Sequence, residues 1–542
     1  MKKTITLILI AFVTMALLVG CGGGGGMPDG ENVITIGVQK HPQVTDYENN
    51  YFTKWLEEKT GYDIRVIEFL GTDMDVKTQI ATMIASGEKL PDILCISFGD
   101  SLRNDYAEQG YFIDLKPYFD DKEKSKNFWD ALEQMDKNTQ DWFYHKVENQ
   151  VTGGWYQIPY FEPNEIDQMP FQPWINQNWL DTLGLPVPTN TDDLVSVLRA
   201  FLTQDPNRNG LPDEIPCMGS TTDMGGNILG WLINMKMYHD TGNLVSVDAD
   251  GKVIADCTTQ EYRDALIWIH DLMAEGLVSP LSVTTKGAQL EANLAAGDFI
   301  GLCIGHATAT LPDPESLQKW TPLPIWGSVF WRDVSMAFKN QITEDCDNPD
   351  GAWEVLMAMY DREGTLIQRW GEKGVNWDYA DEGALSAFGT PADIKIYVDP
   401  YTQTMTSSCW RTPICGYLKT TEVVDIQVGD DMTQLERDYY TKQATMSQNF
   451  KDAYAKNTPV NAVPRLMWTD DLKKEAPYRT DVTNLMSTYT SKFVTGQLNP
   501  RSEEDWNQYL KELKDATYDT WIATVQKVVD HMIETGVFDF KK

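Results

Sequence analysis

Apolar residues recur along the chain first at every second position and then at helical spacing, in a regular succession. Residues Val33 to Val38 (VITIGV) are apolar and β-branched at alternating positions, which predicts a buried strand. Tyr51 to Thr60 places Phe52, Trp55 and Leu56 on one helical face, and Gly61 ends it. Asp63 to Phe69 predicts a second strand, Met74 to Ala85 a second helix stopped by Ser86-Gly87, and Pro91 to Ile96 a third strand. This βαβαβ rhythm predicts a parallel sheet with right-handed crossovers. Ligands of open parallel sheets sit beyond the carboxyl ends of the strands, which directs attention to the loops Gln39 to Tyr47 and Ser97 to Ser101.

Trp155 to Tyr160 (WYQIPY) predicts a further strand, and the Pro-containing stretch Pro163 to Pro173 a crossover. A second lobe is expected from Trp174 to Leu185 onward. It should hold an amphipathic helix at Asp192 to Phe201, a hairpin at Asn243 to Ile254 turning on Asp250-Gly251, and a helix at Glu261 to Ala274 capped by Gly276. Ile300 to Ile304 is an apolar strand able to return the chain towards the first lobe. From Gln434 the pattern is mostly helical, ending with Glu503 to Thr535. The expected class is α/β, with two lobes around a ligand cleft and a helical C-terminal region. The division is 1–20, 21–31, 32–162 (first lobe), 163–305 (second lobe), 306–380 (crossover and return) and 381–542 (remainder of the second lobe).

The N-terminus changes the picture. Lys2 and Lys3 precede an apolar run, Ile5 to Val19, too short to span a bilayer comfortably. Leu18-Val19-Gly20-Cys21 matches a lipobox, so the chain is expected to be cut before Cys21, acylated there and held at the outer face of a membrane. Gly22 to Gly26 read as a flexible tether. The 542 residues carry 45 basic and 80 acidic side chains, a net charge of −35. That field repels nucleic acid and anionic membranes. It favours a neutral ligand and disfavours an anionic one unless local cations compensate. Beyond Cys21 seven cysteines remain (Cys95, Cys217, Cys257, Cys303, Cys346, Cys409, Cys415). An odd, scattered set without a CxxC pair is no disulfide framework and no zinc site; a local Cys409–Cys415 bridge and free thiols both stay open. The 18 Trp and 23 Tyr are mostly core, yet they offer stacking platforms for the apolar faces of sugar rings.

Several segments together resemble the family 1 extracellular solute-binding proteins of ABC importers, in their larger lipoprotein branch. They are KWLEEKTGYDIRV (from Lys54), ASGEKLPDIL (from Ala85), GYFIDLKPYF (from Gly110), WLDTLGLPVPTNTDDL (from Trp179), YRDALIWIHDLMAEGLVSP (from Tyr262), RWGEKGVNW (from Arg369) and YLKELKDATYDTWIATVQKV (from Tyr509). The resemblance implies two α/β lobes closing on a small solute, commonly an oligosaccharide, and delivery to the permease subunits of an importer. It implies a monomer without catalytic residues.

The segment DPNRNGLPDE, Asp205 to Glu214, follows the amphipathic helix. Asp205, Asn207 and Asn209 put oxygen side chains at alternating positions, Gly210 supplies a turn, Leu211 offers its carbonyl, and Asp213 and Glu214 close the loop. A hard cation takes about six to eight oxygens, and an EF-hand loop begins this way. The closing carboxylates fall earlier than in a full EF-hand, so this is a shortened variant. The resemblance adds that related proteins hold a structural Ca2+ at the matching segment.

Candidate ligand contacts are polar or aromatic residues just past the strand ends: Lys40, His41 and Asp46; Phe98 and Asp100; Tyr160 and Glu162; His306. Trp331-Arg332 and Trp410-Arg411 each set a ring beside a guanidinium, so that one residue stacks while its neighbour bonds hydroxyls. Trp410 is the expected main platform. Trp55, Trp179, Trp268, Trp506 and Trp521 read as structural. A glycosidase would need two carboxylates facing each other across a sugar cleft. Among 80 acidic residues such a pair can always be imagined, and a peptide receptor of the same fold also stays open.

Overall fold

The computed structural model describes residue 30 and residues 32–536, apart from 136, 150, 163–171, 222–227, 241–243, 249, 306–313, 328–334, 401–404, 412–414, 420, 429–431, 457–465, 470 and 473–478. Cys21, His306, Trp331 and Arg332 therefore lie outside the described residues, as do most of the expected crossover and the side chain of Glu162.

The first three strands form where the alternation placed them. Val33–Gln39 pairs in parallel with Asp63–Phe69 on one side and with Ile93–Cys95 on the other. Among the described residues the full sheet has six strands, in the order Gly416–Tyr417, Ile158–Glu162, Ser335–Ile342, Ile93–Cys95, Val33–Gln39, Asp63–Phe69. Ser335–Ile342 runs antiparallel to both of its neighbours. The intervening helices start and stop on local signals. Asn50 Oδ1 accepts from Phe52 N at 3.1 Å to cap Tyr51–Thr60, and Gly61, at φ 79°, closes it in the left-handed region. Thr72 and Asp75 form a capping box on Asp73–Ser86. A buried polar clasp locks the central strands together: the Asp92 carboxylate accepts from Thr35 N at 2.7 Å and from Thr35 Oγ1 at 2.6 Å.

A second sheet has three antiparallel strands, with Gln172–Asn176 between Leu302–Gly305 and Trp320–Pro322. The apolar strand near residue 302 thus stays in this sheet instead of leading back to the first. The return is made later, by Ser335–Ile342. Trp174 and Trp179 are fully buried here, and Trp179 meets Phe201 edge-on at 5.1 Å. Gly301 is required at this contact, since a Cβ would lie 2.5 Å from Phe201 Cδ2. The expected hairpin is short, Ser246–Val247 with Val253–Ile254. Helix Gln260–Glu275 packs on the C-terminal helices, where Tyr262 OH and Thr490 Oγ1 are 2.7 Å apart. Trp506 and Trp521 are buried; Trp55 and Trp268 are partly buried against the same core.

The expected boundary at residue 380 is corrected by the pairing. Residues beyond it still belong to the first sheet: Gly416–Tyr417 pairs with Ile158–Glu162, Val44 bridges Thr406, and Asn50 Nδ2 donates to Cys409 O at 2.9 Å. Such sequence-distant pairing leaves no local trace in the chain. All seven described cysteines are buried and free, so Cys409 and Cys415 form no bridge. No helix among the described residues is long and apolar enough to cross a membrane.

Candidate functional site

A cavity of about 320 Å³ opens at the carboxyl ends of Val33–Gln39 and Ile93–Cys95. Its lining includes Gln39, Lys40 and His41 from the loop after the first strand, and Ile96 and Ser97 from the loop after the third. Tyr47, Lys339 and Trp410 also line it, with Asp73, Val76 and Lys77 from the first two turns of Asp73–Ser86. The position follows from the sheet: parallel strands direct their following loops to one edge, and a crevice remains between them.

Lys40 and His41 are therefore at the cavity. Lys40 Nζ pairs with Glu68 on the neighbouring strand. His41 N donates to Tyr47 OH at 3.0 Å, and His41 Nδ1 accepts from Gln43 N at 3.2 Å. Burial, helped by the Arg411 charge, pushes the His41 pKa down, so the ring is neutral and hydrogen-bonding. Burial raises Tyr47 to about 12, which keeps its hydroxyl protonated. Asp46 has a local task. Its carboxylate accepts from Glu48 N, Asn49 N and Asn49 Nδ2, which folds the turn that carries Tyr47 into place.

Other expected contacts have different surroundings. Phe98 is a core ring, packed edge-on against Tyr106 at 5.5 Å and tilted against Phe112. Asp100 begins helix Asp100–Glu108 and pairs with Arg103 and Lys146. Burial opposes its ionisation, but the two cations outweigh this and hold its pKa at about 2. Tyr160 is buried in the sheet. Arg411 is buried and reaches Gln43 Oε1 at 2.5 Å, bracing the loop behind His41.

Trp410 borders the cavity but is 1% exposed. Its ring meets Tyr47 at 5.6 Å and Phe52 at 5.1 Å, both edge-on, and its Nε1 donates to Thr53 Oγ1 at 2.9 Å. Neither face of the indole is open, which corrects the expectation of a stacking platform. The sequence showed a Trp-Arg pair but not the two rings that pack on it. Asp73, Lys77 and Lys339 were missed. The strand-end rule applied to the second strand as well would have reached Asp73 and Lys77. Lys339 sits on an antiparallel strand whose pairing no local pattern announces.

In the loop Asp205 to Glu214, Asp205 Oδ1 accepts from Asn209 N at 3.1 Å and Oδ2 from Gly210 N at 3.2 Å. Asn207 Oδ1 and Asn209 Oδ1 accept from Asn209 N and Leu211 N at 3.0 and 2.7 Å. These bonds turn the side-chain oxygens inward. Glu214 Oε1 is buried with no hydrogen-bond partner. Burial, with the Asp213 and Asp205 charges nearby, pushes its pKa up. A cation would relieve both conditions, so the donor set fits one. Among the described residues no three His, Cys, Asp or Glu side chains converge as a metal cluster. Here Asp213 instead accepts the side-chain amides of Asn207 and Asn209.

Residues 41–365 match the bacterial extracellular solute-binding protein family, and the chain belongs to it. The chain is 30% identical over 350 residues to lipoprotein LipO of Bacillus subtilis, covering 60% of this chain and 64% of LipO. It is 24% identical over 368 residues to the fructooligosaccharide ABC transporter substrate-binding protein FusA of Streptococcus pneumoniae, covering 66% of this chain and 65% of FusA. The chain thus spans just under two thirds of the length of these relatives. The FusA EF-hand mutant, solved in complex with fructo-nystose, superposes with a TM-score of 0.66 at 20% identity, over 93% of this chain and 100% of that one. A solute-binding protein described as HMO-binding and ABC-transporter-associated, from Bifidobacterium longum infantis, superposes with a TM-score of 0.69 at 22% identity, over 93% and 99%. These likenesses establish the α/β solute-binding fold.

Proposed function

We propose that this chain is a lipid-anchored receptor outside the cell that captures an oligosaccharide between two lobes and hands it to the permease subunits of an ABC importer. The observation that carries the reading is the cavity at the strand ends, lined by Lys40, His41, Tyr47, Ser97 and Lys339. A sugar needs such a mixture, hydroxyl partners beside apolar surface. Capture by lobe closure requires a hinge and no covalent step, so the reading assigns no catalytic residue and no partner subunit. The similarity to FusA supports a sugar as solute. The first lobe comprises the six-stranded sheet, with residues 405–418 included; the second comprises the three-stranded sheet and the C-terminal helices. Asp205, Asn207, Asn209, the Leu211 carbonyl, Asp213 and Glu214 would hold a structural Ca2+. The ion would tie the end of helix Thr191–Thr203 to the following loop, away from the cavity.

A thermal-shift screen of the chain against mono- and oligosaccharides tests the reading. At least one oligosaccharide is expected to raise the melting temperature and to be recovered intact. No shift with any glycan, or cleavage of the one that binds, would overturn it. The lipobox yields a separate prediction: Cys21→Ala is expected to move the protein from the membrane fraction to the medium, or to leave the precursor uncut. Unchanged membrane retention with normal processing would remove the anchor assignment.

A further inference from the structure

Helix Gln434–Lys456 has two faces bonded to two different bodies. On one face Lys442 Nζ donates to Leu317 O at 2.7 Å and to Gln318 O at 3.0 Å, Met446 O accepts from Gln172 Nε2 at 3.1 Å, and Asn449 Nδ2 donates to Leu323 O at 2.9 Å. These partners belong to the three-stranded sheet and its connections. The other face, about a third of a turn away, sets Tyr440 against residues 396–400. That segment is fastened to the first lobe: Asn376 Nδ2 donates to Val398 O at 3.1 Å, and Arg411 Nη1 donates to Pro400 O. The two faces are packed differently. A cavity of about 250 Å³ lies between Ile396 and Asp399 on one side and Leu435 and Tyr440 on the other, and Tyr440 OH donates to Asp399 Oδ2 at 3.2 Å beside it. Burial, with the Asp399 charge, pushes the Tyr440 pKa up, so the hydroxyl stays a donor. Atoms around a void have fewer partners to lose, so this seam gives way before the bonded face. From it polar contacts lead to the solute cavity. Pro400 O is held by Arg411, whose Nη2 donates to Gln43 Oε1 at 2.5 Å, and Gln43 N donates to His41 Nδ1 at 3.2 Å in the cavity wall.

We propose that Tyr440 is a positioning residue for solute capture. Helix Gln434–Lys456 travels with the second lobe, the lobes turn at the seam, and the Tyr440–Asp399 bond is the catch that holds it. Arg411 and Gln43 pass the state of the catch to the loop of His41. The inference rests on the reading of the chain as a two-lobe receptor.

Pulsed electron resonance on the full chain tests it, with spin labels at Glu88→Cys in the first lobe and Ala288→Cys in the second; both positions are exposed, and the seven described thiols are buried. Tyr440→Phe is expected to broaden or shift the distribution of inter-lobe distances. Lys442→Gln, on the bonded face, is expected to leave it unchanged. Should Tyr440→Phe fail to fold, Leu435→Ala enlarges the same cavity and is expected to act alike. Calorimetric titration with 1-kestose, xylotriose and trigalacturonate reads the relay. Tyr440→Phe and Gln43→Ala are each expected to weaken whichever binds by about 3- to 10-fold, and the double variant by no more than the stronger single one. An unchanged distance distribution in Tyr440→Phe, an equal change in Lys442→Gln, or additive losses in the double variant overturn the inference. The distances need no solute, so they decide it even where no glycan binds, an outcome that counts against the receptor reading alone.

Discussion

Trp410→Ala is expected to destabilise the first lobe by about 3–5 kcal/mol, the usual cost of emptying a fully buried Trp site. The ring occupies a slot between Tyr47 and Phe52, so its removal leaves two aromatic edges facing a void. It also removes the Nε1–H donor to Thr53 Oγ1, whose own proton goes to Tyr47 O at 2.5 Å. Residues 405–411 would then lose their anchor on the helix Tyr51–Thr60, and the loop that carries His41 would loosen with them. Urea denaturation followed by circular dichroism should show the midpoint falling, and any loss of binding should scale with the loss of folded protein. Trp410→Phe keeps much of the packing and is expected to cost less. A Trp410→Ala variant with the wild-type midpoint but weakened sugar binding would contradict the packing role and restore a direct contact.

Removal of the proposed calcium is expected to have the second large effect. An ion bound only by the folded protein stabilises it by about 2.7 kcal/mol at a hundred times Kd and about 4.1 at a thousand times. In a lobe of ordinary size that corresponds to a fall of about 6–16 °C on chelation. The transition affected should be that of the second lobe, because the loop joins helix Thr191–Thr203 to the segment at Asp298 through Asn207 Nδ2. Calorimetry with a chelator, then with calcium restored, measures it. Asp205→Ala should abolish the response. An unchanged melting temperature, together with elemental analysis that finds no calcium in the wild-type protein, would rule the ion out.

The first three strands, their helices and the edge on which a ligand would sit were legible in the chain. Alternating β-branched residues, an Asn cap and a Gly terminator are local signals, and parallel order fixes the side on which loops gather. The oxygen spacing of Asp205 to Glu214 was equally local. The fate of each aromatic was not. Trp410 and Phe98 follow strands and look like platforms in sequence, but burial is a property of what packs against a ring. Tyr47 and Phe52 lie more than 350 positions from Trp410; Tyr106 lies on the helix after Phe98, and Phe112 beyond its end, bridged to Thr343. The full lining of the cavity was hidden for the same reason. Lys40, Lys77 and Lys339 come from three separate elements, brought to one rim by the pairing of Ser335–Ile342 with Ile93–Cys95. The sequence by itself determined the class of fold, the edge at the strand ends where the cavity opens and the oxygen spacing of Asp205 to Glu214, because each is set by neighbours in the chain. Only the tertiary structure decided which side chains reach the cavity and what charge they bring, because those depend on contacts between residues that the chain keeps far apart.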